Sequence, residues 1–399
     1  MRLIVLALML VSSARGQTDA RLAALHDTLH SLETYSPLST GYTAAGPKLT
    51  RAKHLLRDWI ESQLSTVEND GDETKASERI NKALENAGVV PLKDDQNLLG
   101  SLGGVRLRWD SGLLVVITAV GILCEVDESA YAYKRIDGKW QRIWQSEQDD
   151  YQNYWSQHIK AVHIWQSHQR GKQEGASYIL TLGNEGGCHS AWHKVYYRIW
   201  RLNASGEKIL VNESRDGYMR VQGYIVGSIT NSPMHFDGPV DVIIEFTQGS
   251  VDVAVHNREA IRHFVIEGDQ VRRVAPVALS PRDFVDEWIT SPWSESQQWS
   301  LSKEQSAWHR KLHADFVGGT FTGDTMHCQT PDLWQVSFEP HNANRNFEPD
   351  PAVYFLIRWT PPYRFALAGI SDHPWPRCTQ PDREADTWRT LFSTQDWRW

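Results

Sequence analysis

The chain has 399 residues, with 41 Lys and Arg against 49 Asp and Glu for a formal net charge of −8, and only four cysteines beside 18 tryptophans. An acidic balance without any basic run argues against nucleic acid or an anionic membrane surface as a partner. The length suffices for a sizeable core and for two or three domains.

The first element is MRLIVLALMLVSSARGQ. Arg2 supplies a positive start, residues 3–11 an apolar core, and Ala14 and Gly16 the small residues of a cleavage site. Residues 1–16 therefore read as a signal peptide cut after Gly16, and the protein as secreted or periplasmic. The apolar core is far shorter than the roughly 20 residues that span a bilayer, so no membrane insertion is expected after cleavage.

Residues 17–95 read as an α-helical region. Leu22, Leu25, Leu29 and Leu32 recur at three- and four-residue steps. Leu49, Ala52, Leu56, Trp59 and Ile60 mark a second helix over 49–65. Ala76, Ile80, Ala83, Leu84 and Ala87 mark a third over 74–87, with Gly88 as its stop.

From residue 100 the texture changes to strands. LLVVITAV (113–120), YILTL (178–182) and DVIIEF (241–246) are β-branched runs whose centres, Ile117, Leu180 and Ile243, are equally spaced. Each has a weaker strand before it and two strands with a glycine-bearing turn after it, so 100–279 reads as three four-stranded antiparallel units. LLVVITAV is apolar on both faces, as a strand covered on both sides must be. Trp140 and Trp144, four residues apart, are expected on one face of their strand and Ile143 on the other. Residues 280–312 read as a helical insertion: Ser280 as N-cap, Pro281 at the first helical position and Asp283 as the capping partner. Capping and a solvated face account there for Asp283, Asp286 and Glu287. FVGGTF, LWQVSFE, VYFLIRW and YRFALAGI make 313–375 a fourth unit, and 376–399 a C-terminal tail. The expected fold is mainly β, with repeated four-stranded antiparallel units in a β-propeller-like arrangement of about four, preceded by a small α-helical region. A β-sandwich or an irregular all-β fold is the alternative.

The most chemical-looking stretch is GNEGGCHSAWHK (183–194). It is read as a loop through Ser190, with His193 opening a strand. Extended, His189 and His193 stand about 13 Å apart, too far to share a metal ion. Neither a metal nor another cofactor is expected, and no nucleophile elbow, C-x-x-C pair or phosphate loop is present. If the units surround an axis, CEVDES (124–129), the histidine loop and SVDVAVHNRE (250–259) share one face. Glu125, Asp127, Glu128, His189, His193, Asp252, His256, Arg258 and Glu259 are then the expected binding residues. Four cysteines allow three connectivities in an exported protein, and Cys124–Cys188 with Cys328–Cys378 is the pairing expected from their places in the units. Trp109, Trp140, Trp144, Trp200, Trp288, Trp334 and Trp359 lie inside strands or helices and are assigned to packing, while Trp192, Trp375, Trp397 and Trp399 are the candidates for stacking on sugars. The expected role is a binding module for a polysaccharide or another exported protein. A hydrolase using carboxylates and histidines on the loop face, or a structural envelope component, are the alternatives.

Overall fold

The computed structural model describes residues 20–32, 42–68, 71–89, 100–122, 125–149, 151, 156–166, 176–186, 192–203, 206–220, 226–230, 240–252, 257–314, 316–342, 349–360, 364–382 and 385. Two compact units divide the chain, Met1–Ser214 and Arg215–Trp399.

In the first unit, three amphipathic helices are followed by two sheets. Helix α1 covers 20–32, α2 Tyr42–Gln63 and α3 Glu73–Asn86. The expected leucine stripe of α1, the Leu49–Ile60 face of α2 and Ala76, Ile80 and Leu84 of α3 are all buried in one core. Helix α2 starts earlier than the pattern indicates and includes Pro47, a residue that reads as a helix boundary. Strands β1 (Leu102–Asp110), β2 (Leu113–Ile122), β3 (Glu125–Ile136) and β4 (Lys139–Ser146) follow, paired in chain order. Strands β5 (Ser156–Gln166), β6 (Ser177–Gly186), β7 (Trp192–Asn203) and β8 (Gly206–Arg220, which runs past the division) repeat that order.

The first sheet is covered on both sides. Leu114, Val116, Tyr131 and Tyr133 face the helices, while Leu113, Val115, Ala130 and Ala132 face Ile159, Val162 and Ile179 of the second sheet. Each large apolar side chain so buried contributes about 1.5–3 kcal/mol. Burial of both faces of β2 thus has its cause in helices on one side and a sheet on the other, and needs no ring of stacked sheets. The expected common face of Trp140 and Trp144 is corrected. Tyr133 pairs with Arg142 but Ala132 with Trp144, a bulge at Ile143. A one-residue bulge reverses side-chain facing, so Trp140 packs on the helical core and Trp144 on the second sheet.

The second unit holds β9 (Val226–Thr230), β10 (Val240–Gly249), β11 (Asn257–Glu267) and β12 (Gln270–Val274), a third four-stranded sheet with the same neighbour pattern. Helix α4 (Pro281–Thr290) begins as the sequence indicates, with Ser280 Oγ accepting from the Asp283 N–H at 3.1 Å. After α5 (Gln305–Ala314) comes a sheet of β13 (Phe316–Phe321), β14 (Met326–Cys328), β15 (Leu333–Asn342), β16 (Val353–Thr360), β17 (Arg364–Ser371) and β18 (Cys378–Pro381). It is six-stranded where a four-stranded unit was expected. One edge of β15 is shared, its start pairing with β14 and its end with β13, and β18 adds beyond β14. The Cys328–Cys378 disulfide joins those two short strands. Phe338, Phe355, Ile357 and Leu367 pack from this sheet onto Phe284, Val285 and Trp288 of α4. The result is an irregular, mainly β fold in which none of the described sheets closes on itself.

Candidate functional site

Among the sequence-derived binding residues, Asp127, Glu128, Asp252 and Arg258 have described side chains. Glu125, His193 and Glu259 are placed by their backbone, in β3, β7 and β11. His189, His256, Cys124 and Cys188 lie outside the described residues. Residues 125–129, expected in a loop, open strand β3, with Asp127 opposite Val120 and Glu128 opposite Ala119. Residues 183–186 likewise belong to strand β6. At Gly183 a Cβ would run into the His158 carbonyl and the Tyr196 ring, so this glycine is required by close approach.

Asp127 and Glu128 leave β3 on opposite faces, and both are held by neighbours. Asp127 is fully buried against Lys53 of α2, Nζ to Oδ2 2.8 Å, and accepts from Tyr151 Oη at 2.5 Å and from the Gln157 N–H at 3.0 Å. Burial, reinforced by Asp127, pushes the Tyr151 phenol well above its usual range. Glu128 accepts from the Ile159 N–H at 2.6 Å and from Arg106 at 2.9 Å, and its Oε2 stands 3.6 Å from His158 Nε2. Burial pushes this carboxyl up to about 7 against the pull of Arg106.

Gln157 and Ile159 lie on β5, the edge strand of its sheet. Further along that edge Arg108 donates to the Val162 carbonyl, Ser111 donates to the Ile164 carbonyl at 2.7 Å, and Asp110 accepts from the Ile164 N–H at 3.2 Å. Side chains of the first sheet thus close the open edge of the second, whose unpaired backbone groups would otherwise be exposed to wrong pairing.

In the second unit, Asp252 is buried and its backbone bridges to Gly319. Arg258 belongs to a buried ionic cluster. Its guanidinium meets Asp286 at 2.9 Å and Glu287 at 2.7 Å, Arg262 meets Glu287 at 3.1 Å, and Arg273 meets both Glu287 and Glu295 at 2.9 Å. Burial alone would lower the Arg258 pKa, but Asp286 and Glu287 outweigh it and raise the value above that of free arginine. The expectation of a solvated face for Asp283, Asp286 and Glu287 is therefore corrected: at i, i+3 and i+4 on α4 they are buried together, facing the arginines of β11 and β12.

The tryptophans expected in the core are buried or packed against it. Trp375 differs. It follows β17 on the outer face of the six-stranded sheet, half-buried, with its backbone N–H donating to Gln335 Oε1 at 2.6 Å. Gly369 leaves room for the ring, since a Cβ there would lie 2.9 Å from Trp375 Cζ2. Tyr354 and Leu356 project on the same outer face, beside an Arg358–Asp332 pair at 3.1 Å. As for metal donors, the described residues bring one group of three within 4.8 Å of one another: His54, Glu147 and Asp149.

No family model matches the chain, and no curated protein does. Among solved structures, a protein from a complex of BT0996 with RGII is similar at 7% identity and TM-score 0.23, the match covering 70% of this chain and 89% of that protein. One named "Glycoside hydrolase" is similar at 8% identity and TM-score 0.22, with the same coverage. Likenesses at that TM-score bear on neither fold nor function.

Proposed function

We propose that the protein is an exported binding module for a polysaccharide, held on the outer face of the six-stranded sheet. The observation that carries this reading is Trp375, laid over Gly369 on the outer face that also bears Tyr354, Leu356 and the Arg358–Asp332 pair. A sugar ring presents apolar C–H faces and a polar rim, and a partly exposed indole on a face that also carries charged hydrogen-bonding groups complements both. Export is supported by the Cys328–Cys378 bridge, which persists in oxidising compartments, and by the signal-like segment 1–16. Among the described residues no helix is long and apolar enough to cross a membrane. The test is a tryptophan-fluorescence titration with a panel of polysaccharides. A saturable change with one polymer, lost in Trp375→Ala at unchanged circular dichroism, is expected; no saturable change across the panel, or equal affinity in the variant, overturns the reading.

A hydrolase is the second reading, favoured by one observation. Glu128 holds its proton up to about 7 and stands 3.6 Å from His158, an arrangement suited to general acid–base work. Joint replacement of Glu128, His193 and His256 by alanine would abolish hydrolysis of the bound polymer if these residues act together, and would leave it unchanged otherwise.

A further inference from the structure

We propose that His54, Glu147 and Asp149 bind a divalent transition-metal ion, zinc being the one whose preferences they meet. The three belong to the first unit. His54 is on α2 between Lys53 and Arg57, while Glu147 and Asp149 follow β4. His54 Nε2 lies 3.4 Å from Glu147 Oε1 and 3.9 Å from Asp149 Oδ1. A zinc ion with ligands at about 2.0–2.1 Å has donors about 3.3 Å apart along a tetrahedral edge. The His54–Glu147 separation is already near that value, and Asp149, with 59% of its side chain exposed, is free to make up the rest.

The second observation is the state of Glu147. Its side chain is 1% exposed, yet Oε1 has no hydrogen-bond partner and points at His54. An unsatisfied buried carboxylate oxygen is costly, and a cation at that position removes the cost. The other oxygen, Oε2, accepts from Arg57 at 3.1 Å and from Tyr131 Oη at 3.2 Å. These two fix the rotamer that leaves Oε1 free, as outer partners do for metal-ligating carboxylates. Arg57 offsets one of the two carboxylate charges, so the carboxylates retain a net negative charge toward the ion. An imidazole among the donors selects against calcium and magnesium and suits zinc. Three protein ligands with partial exposure leave a fourth position to water.

The experiment is calorimetric titration of the metal-stripped full chain with zinc chloride, beside His54→Ala and Asp149→Asn. Both substituted side chains are more than two-fifths exposed, so circular dichroism and metal-free melting should match the unsubstituted chain. One ion per chain is expected, with binding weakened at least 10-fold in each variant and a melting temperature that zinc raises only in the unsubstituted chain. Absence of stoichiometric binding, or binding indifferent to both substitutions, overturns the proposal.

Discussion

Glu287→Gln probes the cluster that anchors α4 to the third sheet. The Glu287 carboxylate is fully buried and takes Arg258 and Arg262 on Oε2, and Arg273 and the Ser291 hydroxyl on Oε1. Glutamine keeps the shape, removes the charge, and turns an N–H₂ toward guanidinium groups that only donate. Arg258 would then keep Asp286 and Arg273 the partly exposed Glu295, while buried Arg262 would lose the carboxylate it meets. Breaking a buried pair in this way costs about 3–5 kcal/mol. For a cooperative unit of 150–250 residues each kcal/mol moves the melting temperature by about 2–4 °C, so a drop of about 6–20 °C is expected. Glu295→Gln is the internal control. That side chain is 25% exposed and touches Arg273 alone among the arginines, so its loss should cost about 1 kcal/mol or less. Thermal unfolding of the full chain followed by far-UV circular dichroism reads both. A loss below about 1 kcal/mol for Glu287→Gln, or equal losses for the two, would refute the assignment of Glu287 as the hub.

Three further outcomes are expected. Replacing Cys328 and Cys378 together by alanine opens a link between residues 50 apart in sequence; the chain-entropy relation gives a loss of about 4 kcal/mol, read as a lower urea midpoint. Glu128 keeps its proton in the folded chain up to about 7, against an ordinary value of 4.5. Between those values the folded state binds more protons than the unfolded one, so stability falls as pH rises through the window, by about 3 kcal/mol in all. Subtracting the denaturation profile of Glu128→Gln from that of the unsubstituted chain should isolate this slope; a flat difference from pH 4.5 to 7 contradicts it. Gly183→Ala forces a methyl against the His158 carbonyl and the Tyr196 ring. It should lower stability by about 1–3 kcal/mol, whereas an unchanged melting temperature would mean the two strands can part there.

What was legible in the sequence follows from what carries a period. The leucine face of α1, the Leu49–Ile60 face of α2 and the equal spacing of the runs around Ile117, Leu180 and Ile243 all reflect burial, and burial repeats with the geometry of the element. Strand facing beyond a bulge was not legible. Nothing in KWQRIWQS marks the extra residue that turns Trp144 away from Trp140, because a bulge is set by the partner strand. Strands β14 and β18 are too short to show alternation, and only the cysteine pair hinted that their ends meet.

The charged residues were misplaced for a related reason. A run such as EVDES looks like a loop because exposed loops are polar, yet a strand that lies along another sheet's open edge must also carry polar side chains. The first unit does this twice. Asn81 and Ser77 of α3 satisfy the Val105 and Leu107 backbone on edge strand β1, and Asp127, Glu128, Arg108, Ser111 and Asp110 do the same for β5. Sequence alone cannot separate the two cases, since the partner of each carboxylate is a backbone N–H some 30 residues away. Side chains committed to an edge have little left for a ligand. Recognition is better sought where a donor or a ring is free of that duty, as at Glu147 Oε1 beside His54, and at Trp375 over Gly369.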